Sequence, residues 1–176
     1  MRREVVISLI VIGCLGLAHT VNASENAILG GIGTGKIEIL PDGRFGEITV
    51  NHNPNQPIRD PVGCFAAVAV ESANETLIRK LYHDANDPQA IQKLQVRANY
   101  PSAQVDYEDD ALPVKISLHA YSPLIPGDVE NSCYPAVMWI FSVNNPGTTD
   151  VGVTLGMSWR NWIGLGGTAK DVLDGT

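Results

Sequence analysis

The chain has 176 residues, 44% of them apolar and 18% charged, a mix that suits one domain with a single core and argues against a disordered chain. Its formal charge of −7 argues against a nucleic-acid footprint, which needs a basic face to neutralise phosphates. The same acidity argues against a polybasic membrane-surface patch, and beyond favouring solubility it names no partner.

From the N-terminus, Arg2 and Arg3 form a short positive region and residues 5–17 an apolar run, before Val21-Asn22-Ala23 supplies the residues of a cleavage site. This pattern predicts a signal peptide over residues 1–23 and an exported, periplasmic or extracellular domain over residues 24–176. The apolar run is about a dozen residues, short of the roughly 20 that span a bilayer as a helix. The alternative reading is an uncleaved membrane anchor. After cleavage, Cys64 and Cys133 are the remaining cysteines. An oxidising compartment permits a disulfide between them, with two buried free thiols as the competing reading.

Beyond Asn26 the chain reads with period two. Lys36-Ile37-Glu38-Ile39 alternates, and so does Glu47-Ile48-Thr49-Val50 after the turn Pro41-Asp42-Gly43. Phe65 to Val70 and Gln92 to Ala98 are further strand candidates. Asn74 to Leu81 is read either as the one short helix or as a continuation of the strand from Phe65. Val114 to Ala120 alternates most strictly, as a half-buried antiparallel strand does. Val137 to Val143 is apolar on both faces and is expected to be a central, doubly covered strand. Val151, Val153, Leu155, Met157 and Trp159 alternate with polar and glycine residues in a last half-buried strand. The turn signal Asn144-Asn145-Pro146-Gly147 predicts that the last two strands pair antiparallel. Many short strands with Gly/Pro turns and no βα alternation predict one all-β, antiparallel β-sandwich domain after the signal peptide.

Few motifs carry chemistry. Gly30 to Lys36 holds the letters of a phosphate loop, but Ile37 stands where a metal-binding Ser or Thr belongs, and a strand rather than a helix follows. Glycines chosen for close backbone approach explain it better. His83 with Asp84 and Asp87 reads first as a turn rather than a metal site, so no metal and no cofactor is expected. Asp106, Glu108, Asp109 and Asp110 read as a solvated acidic loop between strands. Trp159 and Trp162 are more often packing than a sugar-stacking platform. Asn51-His52-Asn53, after the strand ending at Val50, reads as a polar turn and is also the best candidate for a loop lining a cleft.

Three stretches together resemble the N-terminal domain of glycoside hydrolase family 116, the family of non-lysosomal glucosylceramidases and related β-glucosidases. They are Leu29 to Gly46 (LGGIGTGKIEILPDGRFG), Leu112 to Asp128 (LPVKISLHAYSPLIPGD, followed by Asn131, Ser132 and Pro135), and Ser158-Trp159-Arg160-Asn161. The second is the most specific, and the resemblance covers nearly all of the mature chain. It implies a sandwich that is part of a large two-sheet supersandwich, packed on an (α/α)6 barrel that carries the carboxylates of a retaining glycosidase. The barrel is the implied partner, a β-glucoside or glucosylceramide-like molecule the implied substrate. No barrel residue matches here, so no catalytic residue is placed and the chain alone is expected to be inactive. The chain is also shorter than the family's own β-domain, which implies an incomplete domain, and the signal peptide departs from the cytosol-facing animal glucosylceramidases. With a barrel docked, Asn51, His52, Asn53 and Trp162 become the expected rim of a substrate cleft. The competing function is a free-standing carbohydrate-binding or protein-interaction module, with an aromatic platform at Trp159, Trp162 or Tyr121.

Overall fold

A computed structural model describes residues 26–49, 57–59, 61–73 and 75–160. They form ten strands and one short helix: β1 (Ala27–Leu29), β2 (Lys36–Ile39), β3 (Phe45–Thr49), β4 (Phe65–Glu71), β5 (Thr76–Lys80), β6 (Lys93–Asn99), β7 (Ser102–Glu108), β8 (Lys115–Tyr121), α1 (Val129–Ser132), β9 (Met138–Asn144) and β10 (Gly152–Ser158). The sheets run β1-β2-β3, β10-β4-β5 and β6-β7-β8-β9, and every strand pair in them is antiparallel. The signal-peptide reading over residues 1–23 lies outside the described residues. Among those described, no helix is long and apolar enough to cross a membrane.

The period-two pattern becomes a core. Ala103, Val105 and Tyr107 of β7 and Ile116, Leu118 and Ala120 of β8 are buried, with Gln104, Lys115 and His119 between them exposed. They meet Ala27 and Leu29 of β1, Ile39 of β2 and Val68 and Val70 of β4 in one cluster. The four-stranded sheet is therefore one layer, and the two three-stranded sheets share the other. Each fully buried Leu, Ile or Val is worth about 1.5–3 kcal/mol over an exposed one. Truncating one to Ala costs about 2–5 kcal/mol where the site cannot collapse. The layers also meet at their edges, where Phe45 of β3 stands edge-on to Trp139 of β9 at 5.4 Å.

Four expectations are corrected. The strands on either side of Asn144-Asn145-Pro146-Gly147 do not pair with each other. β9 pairs with β8 and β10 with β4, so this turn carries the chain from one layer to the other. Its side-chain bonds, Asn145 Nδ2–H to the Thr149 carbonyl and Gly147 N–H to Asn145 Oδ1, close the loop without fixing which sheet the next strand joins. Nor is β9 central: among the described residues it is the edge of its sheet, and its apolar residues are only partly buried. In the stretch read as helix or strand from Asn74 to Leu81, the described residues 75–81 form no helix; they contain β5, a separate strand in register with β4. Finally, Asp106 and Glu108 lie within β7. Asp106 pairs with Arg97 on β6, and Asp109, just beyond β7, has a fully buried side chain.

Candidate functional site

The glycine-rich segment after β1 forms a loop fastened by buried serines. Gly30 N–H donates to Ser122 Oγ at 2.5 Å, and Ile32 N–H to the Ser132 carbonyl at 2.9 Å. Ser132 Oγ donates to the Asp128 carbonyl and accepts Ile125 N–H, so this buried hydroxyl also fixes the segment around α1. A Cβ on Gly31 would sit 2.1 Å from the Tyr134 carbonyl oxygen, and one on Gly35 2.3 Å from that of Thr49. Only glycine permits such approaches. Thr34 N–H bonds Gly31 O and Lys36 N–H bonds Thr49 Oγ1, so the amides of Gly30, Ile32, Thr34 and Lys36 all have protein acceptors.

Beside the loop lies a cleft of about 250 Å³, whose walls include Thr34, Lys36, Thr49, Pro135, Val137 and Trp159. Trp159 is 40% exposed and is held edge-on against Phe45 at 5.2 Å. Lys36 Nζ lies 2.6 Å from Glu38 Oε1 and 2.8 Å from Glu47 Oε1. Its hydrogen bonds to Glu38 and then Glu47 raise its pKa, and the Lys36 hydrogen bond lowers that of Glu47. Two carboxylates clamped on one ammonium serve as its counter-ions, not as a poised acid and nucleophile.

Around the loop, Ile32, Tyr100, Leu124, Ile125, Val129 and Tyr134 are 39–66% exposed. Their backbones are tied into one end of the sandwich by the Ile32–Ser132 and Ile125–Ser132 bonds and by Tyr100 OH on the Gly30 carbonyl. An exposed apolar patch marks an interaction site where it is contiguous and larger than a few hundred Å². The sequence held this signal in Ser122-Pro123-Leu124-Ile125-Pro126, a run outside any strand pattern, but only the structure collects it with Ile32 and Tyr134.

Of the residues singled out from sequence, Asn51, His52, Asn53 and Trp162 lie outside those described. Cys64 and Cys133 are free thiols, so the candidate disulfide is not formed. Cys64 Sγ instead accepts Arg160 N–H, and Cys133 sits at the C-terminal end of α1. His83 Nδ1 lies 3.2 Å from the Ile91 carbonyl. Asp84 pairs with Arg44, and Asp87 accepts Lys80 Nζ and Tyr82 OH. The backbone N–H of Asn86 leads in lowering the pKa of Asp84; the Lys80 hydrogen bond leads in lowering that of Asp87 to about 2. These carboxylates knit a turn. Among the described residues no group of three or more His, Cys, Asp or Glu is placed to hold a metal ion. His119 is exposed on β8, 5.6 Å between ring centres from Tyr121.

Fold and site together define a two-layer β-sandwich domain whose described surface offers exposed apolar side chains around the glycine loop and a small cleft. Residues 27–175 match the family described as "beta-glucosidase 2, glycosyl-hydrolase family 116 N-term". The chain therefore belongs to this family, as an N-terminal domain of a glycoside hydrolase. No curated protein matches it.

Proposed function

We propose that the domain is the non-catalytic support of an exported β-glucosidase- or glucosylceramidase-type hydrolase, docked on an (α/α)6 barrel that supplies the acid/base and the nucleophile. The exposed apolar rim around the glycine loop carries this reading. Tyr134, Val129 and Ile125 are 59%, 66% and 48% exposed, and aromatic and aliphatic anchors of this kind form the centre of protein interfaces. Membership of the family supports the barrel as the partner. The chemistry at hand agrees, since Glu38 and Glu47, on the strands β2 and β3 that line the cleft, are bound to Lys36. Asn51, His52, Asn53 and Trp162 remain our candidates for the rim of the substrate cleft that a docked barrel would complete, on their sequence position alone.

The experiment is complex formation in trans. Purified chain, mixed with a family 116 barrel domain, is expected to co-elute on size exclusion. Val129→Asp with Tyr134→Ser should weaken the complex at least 10-fold while leaving the melting temperature of the chain unchanged. The chain alone should not hydrolyse a chromogenic β-glucoside. Turnover lost on changing a single carboxylate, or a complex indifferent to the rim variants, refutes the reading. Edman sequencing of secreted protein tests export, with Ser24 as the expected first residue.

A further inference from the structure

We infer that β9 and β10 form the contact surface of a symmetric dimer, pairing edge to edge with the same strands of a second copy of this chain. Among the described residues the two strands are the outer members of their sheets, β9 beyond β8 and β10 beyond β4. Both line one cavity between the layers, β9 through Trp139 and Phe141 and β10 through Met157, so the two edges lie on the same side of the sandwich. Residues directly opposite in a strand pair point to the same face. Trp139, Phe141 and Val143 stand opposite Ala120, Leu118 and Ile116, and Val153, Leu155 and Met157 opposite Val70, Val68 and Ala66. All six therefore point between the layers, as core residues do. Yet the three on β9 are only half-buried, while Val153 and Met157 are 37% and 42% exposed. Along this side the core reaches the surface.

The edges themselves are built to pair. Native sheets protect free edges with charged side chains, proline or a bulge. On the far side, β5 carries Arg79 and Lys80 and is bridged by Ala90, and β6 carries Lys93 and Arg97. β9 (MWIFSVN) and β10 (GVTLGMS) hold no charge and no proline, and each keeps unbroken register with its neighbour. Among the described residues no bridge or loop backbone bond reaches either outer edge.

The shape of the opening selects the occupant. It must present two uncharged strands at once, about 10 Å apart, the spacing of packed sheets. A single extended peptide fills one edge and leaves the other wet. A second copy meets both conditions. A two-fold axis perpendicular to the layers sets β10 against β10 and β9 against β9, antiparallel in each layer, and closes the assembly at two. The chain has a formal charge of −7, but its charges stay off these strands, as self-contact requires: a charge near such an axis faces its own copy. Two seven-residue strands fall short of the roughly 20–30 residues a side of a standard interface. The expected dissociation constant is therefore modest, on the order of 10 μM.

Sedimentation equilibrium of the purified chain across about 1–100 μM is the test. A reversible monomer–dimer equilibrium is expected, with no larger species. Val153→Lys with Met157→Lys sets like charges across the axis and should weaken the dimer at least about 10-fold, with the circular dichroism spectrum unchanged. Should that variant fail to fold, hydrogen exchange of the parent chain decides. Amides of β9 and β10 are expected to exchange several-fold more slowly at about 100 μM than at about 1 μM, and those of β6 equally at both. A monomer at every concentration is the outcome if the seam is covered within the chain, and it overturns the proposal. Exchange of β10 that ignores concentration, an assembly that grows past two, or a dimer indifferent to the lysines overturns it as well. Val129→Asp with Tyr134→Ser leaves both strands untouched and should keep the dimer while losing the barrel, so failure of the dimer and failure of the proposed function are told apart.

Discussion

Replacing Asp109 by Ala should unfasten the two layers of the sandwich. Asp109 follows β7 in the four-stranded layer, and Arg79 belongs to β5 in the opposite layer. Arg79 Nε lies 2.7 Å from Asp109 Oδ2, with the Asp109 side chain fully buried and that of Arg79 18% exposed. Asp109 Oδ1 also accepts the N–H of Ala111 at 2.9 Å. Removing one partner of a buried pair costs about 3–5 kcal/mol, chiefly because the other charge stays dry. Arg79 retains some access to water and a bond to the Ile78 carbonyl, so the lower end, about 3 kcal/mol, is expected. In a domain of this size each kcal/mol moves the melting temperature by about 2–4 °C, which makes the shift roughly 6–12 °C. Urea denaturation followed by tryptophan fluorescence measures it. Arg79→Met with Asp109→Leu should recover part of the loss, since an apolar pair leaves no buried charge, with a coupling of about 1–3 kcal/mol in the double-mutant cycle. A loss below about 1 kcal/mol, or strictly additive single effects, would show that the pair does not hold the layers together.

Other outcomes follow from the same geometry. Gly31→Ala drives a methyl group against the Tyr134 carbonyl and should cost about 1–3 kcal/mol. Gly156→Ala, on β10 with open space at its Cβ, should be neutral or slightly stabilising; equal effects would contradict the packing of the loop. The pKa of Asp87 is lowered from its usual 3.8 to about 2, first by Lys80, then by Gln89 N–H and Tyr82 OH. A carboxylate more acidic in the folded than in the unfolded chain adds stability that is complete above about pH 4 and lost as the pH falls toward 2. Melting temperatures of Asp87→Asn should therefore fall less steeply across that window than those of the parent chain. Native alkylation with iodoacetamide should modify half-buried Cys133 before buried Cys64, and rapid labelling of Cys64 would place its thiol outside the core.

How far the fold was legible depended on range. Alternation in Val114 to Ala120 foretold β8, and Lys36 to Ile39 foretold β2, because a strand's two faces are written into neighbouring residues. The alternation of Ala103, Val105 and Tyr107 was equally plain, but the charges of Asp106 and Glu108 beside them read as a loop. On a strand with one wet face those charges are the wet face. Apolar residues on both sides of β9 suggested a covered centre. At an edge, partial cover by the facing layer and the rim produces the same composition. As for the site, the sequence pointed at the glycine loop and Trp159 separately, and their common cleft came only with the fold.

By itself, then, the amino-acid sequence determined that this is a β-sandwich with a glycine-fastened entry to its second strand, because strand faces, turns and close approaches are local. Which strands became neighbours was settled in three dimensions. A turn such as Asn144 to Gly147 reverses the chain but does not say whether the next strand bonds back or crosses to the other layer. β10 crosses over and completes the sheet of β4 and β5, pairing with β4 along its whole length, with Leu155 packed against the core and Val153 and Met157 left exposed. The Arg79–Asp109 clasp, 30 residues apart in sequence, and the wall that Trp159 lends to the cleft both exist only because the layers close on each other.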